Sequence, residues 1–130
     1  MEKIYFLTIE EIIDFNRLLI KLYGGIFGIR DYNLLDSALH QPQFFIAGNY
    51  IHKDIYLMAA AYLYHIIKNH PFIDGNKRTG IFAAINFLEY NYVEIDLDQK
   101  EFYKLAIDVA NSKMSKQKIA NFLKKKVVEN

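Results

Sequence analysis

The chain contains no cysteine, and its 130 residues carry a net charge of only +1. Without cysteine there is neither a disulfide framework nor thiolate chemistry, which fits a reducing cytoplasm. A nearly balanced charge argues against nucleic-acid binding over the whole surface. No apolar run approaches the ~20 residues of a membrane span. The N-terminal run Met1-Glu2-Lys3-Ile4-Tyr5-Phe6-Leu7-Thr8-Ile9-Glu10 places acids where a secretory signal needs its apolar stretch. No internal period recurs and no low-complexity linker divides the chain, so repeat and two-domain architectures fall away. A soluble, cytoplasmic, single domain spanning residues 1–130 is the expectation.

What is present points to an ordered core. Hydrophobic residues make up 52% of the chain and aromatic residues 15%, with ten tyrosines and ten phenylalanines, which excludes disorder for all but the last few residues. A chain of this length buries roughly two-thirds of its unfolded surface. The positive charge is unevenly placed: Lys113, Lys116, Lys118, Lys124, Lys125 and Lys126 crowd the C-terminus.

Helical signals follow one another along the sequence. Thr8 and Glu11 have capping-box spacing, and Ile9, Ile12, Ile13, Phe15, Leu19, Ile20 and Leu22 continue at helical intervals until Gly24-Gly25. Asp31 is placed to cap a short helix carrying Leu34, Leu35, Ala38 and Leu39, which Pro42 ends. Residues 42–52 lack a helical pattern and read as a loop or small hairpin, with Gly48-Asn49 as the turn signal. Asp54 is placed to cap a helix over 55–69 that is apolar on every side and must therefore be buried. A fourth helix runs from about Gly75 to Tyr90, closed by Asn91; Tyr92 to Leu97 hints at a strand. Asp98 with Glu101, and then Ser115, open two last helices. The fold class is all-α, of about six helices.

Between the two most apolar segments stands His70-Pro71-Phe72-Ile73-Asp74-Gly75-Asn76-Lys77-Arg78-Thr79. Glycine opening a helix after a proline-containing turn leaves the backbone N–H groups at 75–78 free beside the positive end of the helix dipole. That is an anion site, and Lys77 and Arg78 add full charges to it. Polyphosphate is the natural guest. Asp74 supplies the single carboxylate that phosphate-bound magnesium typically needs. His70 carries an imidazole, the side chain most often used as a general base, and is suited to accept a proton from an attacking hydroxyl.

Blander readings exist for each residue. A histidine at a helix end is often a C-terminal cap, Asp74 has the form of an ordinary N-cap, and Lys77 or Arg78 alone would be solvated. Pro71 and Phe72 read as structural, one fixing the turn and the other plugging it into the core. His65 and His70 lie about 140° apart around a helix, so they form no zinc-binding pair. His40 and His52 stand alone and read as surface or loop residues. Lys124 to Lys126 read as the solvated end of an amphipathic helix, and their alternative use would be a non-catalytic module binding RNA or DNA.

The run from His70 to Arg78 resembles the signature of the Fic/Doc family, on its death-on-curing toxin branch. The likeness extends through Gly28-Ile29-Arg30-Asp31, Leu34-Leu35, Ser37-Ala38-Leu39, Pro42-Gln43 and Ala59-Ala60-Ala61-Tyr62-Leu63-Tyr64, covering about residues 24–95. It implies a compact helical domain with the motif at the join of two central helices, and a flap over 42–52 that docks the target. AMP-transferring members carry glycine where this chain has Lys77, and a second arginine where it has Ile81. The resemblance implies that members with lysine at the first position act as protein kinases. By that likeness ATP is the co-substrate, His70 deprotonates a Ser or Thr hydroxyl, Asp74 holds Mg2+, and Gly75, Asn76, Lys77 and Arg78 steady the phosphates. Lys68 stands where an arginine assists. AMP transfer is the alternative chemistry. Phe82 and Asn86 depart from the family pattern where they would touch the nucleotide. No inhibitory helix with Ser or Thr followed four residues later by Glu is found, so the resemblance implies an antitoxin in trans. An apolar groove, the aromatics Phe44, Phe45 and Tyr50, or the face of the first helix would receive it. The implied substrate is a cytoplasmic protein serving translation.

Overall fold

The computed structural model describes residues 3–129, so Met1, Glu2 and Asn130 lie outside the described residues. Six helices follow in order: α1 Ile9–Tyr23, α2 Tyr32–His40, α3 Ile55–Asn69, α4 Asn76–Tyr90, α5 Gln99–Ala110 and α6 Lys116–Lys125. The fold is all-α apart from one two-stranded hairpin, β1 Phe45–Ile46 and β2 Asn49–Tyr50, paired antiparallel with Phe45 opposite Tyr50. Its turn is Ala47-Gly48, one residue earlier than the sequence suggests, because both residues adopt the positive φ that a tight hairpin demands.

Local chemistry explains where five of these helices start. Thr8 and Glu11 form a reciprocal capping box on α1. Asp31 accepts from Leu34 N, Asp54 from Leu57 N, Asp98 from Glu101 N and Ser115 from Lys118 N, all at 2.9–3.1 Å. Only α4 has no side-chain cap; its N-cap is Gly75. Pro42 does not itself end α2, which closes at His40 and passes into a 3-10 turn over Gln41–Gln43, where proline fits near the start.

α3 is the axis of the molecule, packed against α2, α4, α5 and α6. Met58, Ala59, Ala60, Ala61, Tyr62, Leu63, Ile66 and Ile67 are all buried, as its continuous apolar sequence requires. Three consecutive alanines let neighbours approach closely, and on α4 the absent side chain of Gly80 does the same: a Cβ there would lie 3.1 Å from Leu63 O. The close α3–α4 contact brings the C-terminal end of one helix beside the N-terminal end of the other. The turn between them is pinned by Phe72, which is fully buried and contributes roughly 2–3 kcal/mol by that burial.

Two expectations are corrected. Residues 92–97 form no strand; Ile95 makes one isolated bridge with Val127, too short a pairing for a ladder. His52 lies in the loop before α3, as one of its two readings has it, but is 6% exposed and so not on the surface. Its Nε2 lies 3.1 Å from Lys116 Nζ, and the nearby His65 has a buried Nε2 without a partner. Burial, then Lys116 and His52, hold the His65 imidazole down at about 4. An unfolded chain takes up that proton near ~6.5. Stability is therefore complete above ~6.5 and is lost as pH falls towards 4, by on the order of 2 kcal/mol once screening at a partly exposed ring is allowed for. His65→Leu should flatten this acid limb in urea melts at pH 7 and pH 4.5. An unchanged pH dependence would rule His65 out as its source.

Candidate functional site

The α3–α4 turn is shaped by bonds from outside it. His70 is the C-cap of α3 in the left-handed conformation, φ 49° and ψ 54°, which costs a non-glycine residue roughly 1–2 kcal/mol. Arg30 Nε donates to His70 O at 2.7 Å and its Nη2 to Asn69 O at 2.9 Å. The backbone N–H groups of Arg30 and Asp31 both donate to Pro71 O. Ile29 bridges Phe72, and Ile73 N donates to Gly28 O. Segment 28–31 thus forms a strut beneath the turn.

Inside the turn two asparagines act as clips. Asn76 is 5% exposed; its Oδ1 accepts from Phe72 N at 3.0 Å and its Nδ2 donates to Phe72 O at 2.9 Å. Asn16, buried on α1, donates from Nδ2 to Asp74 O at 2.9 Å and to Thr79 Oγ1 at 3.1 Å. Asp74 caps no helix: its Oδ2 accepts from Ile26 N at 2.7 Å. Gly75 then turns with φ 79°, where a Cβ would also meet Asn16 Nδ2 at 3.1 Å. The helix begins at Asn76, one residue after the sequence suggests, and its first turn keeps donors at 76–78 free of any side-chain cap.

Those donors open onto a cleft of about 820 Å3. Its lining includes His70, Asp74, Gly75, Asn76, Lys77 and Arg78 together with apolar walls, Leu19, Leu22, Phe82, Ile85, Leu97 and Ile107 among them. Tyr23 from α1 and Tyr103 from α5 also line it, and the Arg78 guanidinium lies 4.2 Å from the first ring centre and 5.6 Å from the second. Six of the seven sequence-predicted site residues therefore meet in one cleft. Lys68 does not; it points away to bond Ser112 Oγ in the α5–α6 turn. Asn76 meets the others with its side chain already engaged, so only its backbone N–H faces outward. Phe82 lines the cleft, whereas Asn86 bonds back to Phe82 O.

The sequence pattern of the Fic/DOC family matches residues 6–88, most of the chain, including this turn. The chain belongs to the Fic/DOC family. It is 41% identical over 76 residues to Toxin Doc of Mycolicibacterium smegmatis, a stretch that is 58% of each protein and so less than two-thirds of that relative's length. It is 30% identical over 116 residues to Protein kinase doc of Escherichia phage P1, covering 89% of this chain and 90% of that one.

In this Fic/DOC chain the two clips are what motif reading misses. Asn16 falls on the buried stripe of α1 with Ile12 and Leu19, and a polar residue there was the available signal. Asn76 gave none, because its bonds depend on the turn's final shape. Asn76→Ala would strand a buried donor and acceptor of Phe72. A loss of about 2–3 kcal/mol is expected, read as a lower urea midpoint. A change below about 0.5 kcal/mol would mean that water replaces the amide.

Proposed function

We propose that the cleft binds ATP and that the protein transfers its γ-phosphoryl group to a Ser or Thr hydroxyl of another protein. The observation that supports this most is the uncapped N-terminus of α4, flanked by Lys77 and Arg78 and opening on the cleft that His70 also lines. Free N–H groups, a helix dipole and two cations suit a polyphosphate chain. The apolar part of the lining, with the rings of Tyr23 and Tyr103, suits a nucleobase, and the volume lies in the usual range for a small-molecule site.

His70 accepts the hydroxyl proton as that oxygen forms its bond to the γ-phosphorus; the bond from phosphorus to the bridging oxygen breaks, and ADP leaves with its electron pair. Lys77 and Arg78 neutralise charge on the phosphate oxygens, which is the larger share of the work in phosphoryl transfer. The His70 imidazole forms no hydrogen bond of its own among the described residues, leaving it open to a substrate hydroxyl.

Mg2+ is tested by the chemistry of Asp74. Among the described residues no group of three or more histidines and acids is placed to hold a metal. Magnesium needs no such cage, since one carboxylate with phosphate oxygens and waters suffices. Asp74 is tied through Oδ2 and keeps Oδ1 for this use, so the residues fit. When bound, the ion would offset charge on the phosphates.

By the names of its relatives we read the protein as a Doc-like toxin, a single domain acting in the cytoplasm and restrained by an antitoxin in trans. Exposed Leu22, Ile26 and Leu97 offer an apolar surface near the cleft for that partner. Exposed Phe44, Phe45 and Ile46 at the hairpin suit docking of a substrate protein serving translation, whereas Tyr50 packs on the core. Among the described residues no helix is long and apolar enough to cross a membrane. Direct nucleic-acid binding is disfavoured by the near-balanced net charge of +1, and two of the tail lysines are engaged within the fold, Lys126 with Glu101 and Lys116 with His52.

Labelled ATP tests the proposal. With purified protein and lysate, label from the γ position should appear on a protein. Label arriving only from the α position would overturn phosphoryl transfer in favour of AMP transfer, and label from neither would remove both.

A further inference from the structure

His70 sits in a conformation that its own residue type disfavours, and its ring makes no hydrogen bond among the described residues. With no bond at the ring, the fixed part of its placement is the direction in which Cβ leaves the chain, which φ and ψ set. Its N–H keeps the helical bond to Ile66 O, and among the described residues Arg30 is the side chain that bonds its carbonyl. The Arg30 guanidinium spans the last two carbonyls of the helix end, Asn69 O and His70 O, at 2.9 and 2.7 Å. These carbonyls have no partner within α3 and lie at its negative dipole end, where a planar cationic fork is well matched. Asn76, the nearest other clip, holds Phe72 and reaches neither carbonyl.

We infer that Arg30 is a positioning residue, which holds residue 70 in its left-handed conformation and so aims the imidazole into the cleft. The inference rests on the reading of His70 as the base. Arg30 does not line the cleft, so it acts on the reaction only through His70. The start of α4 has anchors of its own, since Asn16 bonds Asp74 O and Thr79 Oγ1 and the Arg78 guanidinium lies over Tyr23.

The test compares Arg30→Ala and Arg30→Lys with the unaltered protein, at a temperature where all three are folded. Both variants should lose about 10- to 100-fold in kcat, in line with a base displaced by an ångström or so, with KM for ATP unchanged. Lysine keeps the charge but not the fork, so it should not rescue. Sub-denaturing guanidinium ion should restore part of the activity of Arg30→Ala and none to Arg30→Lys. A kcat within twofold of the unaltered protein would overturn the inference, whatever the melting temperature does. NMR of the His70 ring gives a readout free of turnover: one sharp resonance in the unaltered protein, broadened or doubled in Arg30→Ala. An identical ring signal in both also overturns it. If the unaltered protein transfers nothing from ATP, the proposed function fails, and the ring spectra still decide whether Arg30 aims His70.

Discussion

His70→Ala should lower transfer from ATP by roughly 10²- to 10⁴-fold and abolish growth arrest, while leaving the fold intact. That range corresponds to about 2.7–5.4 kcal/mol on the barrier, far more than the substitution should cost in stability. The side chain is exposed at the mouth of the cleft and adds nothing to the core. What alanine changes structurally is the left-handed C-cap, where the difference between two non-glycine residues is under about 1 kcal/mol. His70→Asn separates the two effects, because asparagine tolerates that conformation well and has no basic nitrogen. Both variants should be inactive and both should melt within a few degrees of the parent. A folded His70→Ala protein that keeps activity within tenfold would remove the imidazole from the mechanism and send the search for a base elsewhere along the cleft.

The parts of this molecule readable from its sequence are those decided by residues close together in the chain. Thr8, Asp31, Asp54, Asp98 and Ser115 each bond a backbone N–H three residues on, so spacing alone announces them. The apolar run 55–67 announces a buried helix for the same reason. Gathering His70, Asp74 and residues 75–78 in one place was legible because only a short turn separates them. Where distant segments meet, local spacing says little. Asp74 has the form of an N-cap, yet it caps no helix: its Oδ2 accepts from Ile26 N, 48 residues away, a bond no spacing announces. Lys68 stands two positions before His70 but leaves on another side of α3, towards Ser112. His52 is drawn under cover by Lys116, and Lys126 is drawn out of the solvated tail by Glu101. These contacts depend on how helices pack, which no local pattern encodes. Arg30 belongs to both kinds: its place in Gly28-Ile29-Arg30-Asp31 was part of the family likeness, but the carbonyls it holds appear only once α3 and the 28–31 segment are brought together.

Lys77→Gly should redirect the reaction, raising the ratio of α-derived to γ-derived label on the target protein by more than tenfold. Lys77 is the second residue of α4, exposed, and lines the cleft. Its backbone N–H belongs to the uncapped set, while its side chain brings bulk and a full charge to the same space. Polyphosphate entering with lysine present meets a point charge that favours its most highly charged end, the γ-phosphate, near His70. Removing that side chain leaves the amides as the chief attraction beside Arg78, and bare amides hold a bridging phosphate as readily as a terminal one. The chain can then slide until the α-phosphorus faces the base. Glycine near a helix start costs up to about 1 kcal/mol, so the variant should fold and its melting temperature provides the control. Lys77→Met keeps the bulk without the charge and tells the two contributions apart. If the methionine variant behaves like the parent, bulk sets the register; if it behaves like glycine, charge does. Retention of γ transfer at the parental ratio in both variants would show that the nucleotide's direction is fixed by the apolar and aromatic lining of the cleft, Tyr23, Phe82 and Tyr103 among it, and not at its phosphates.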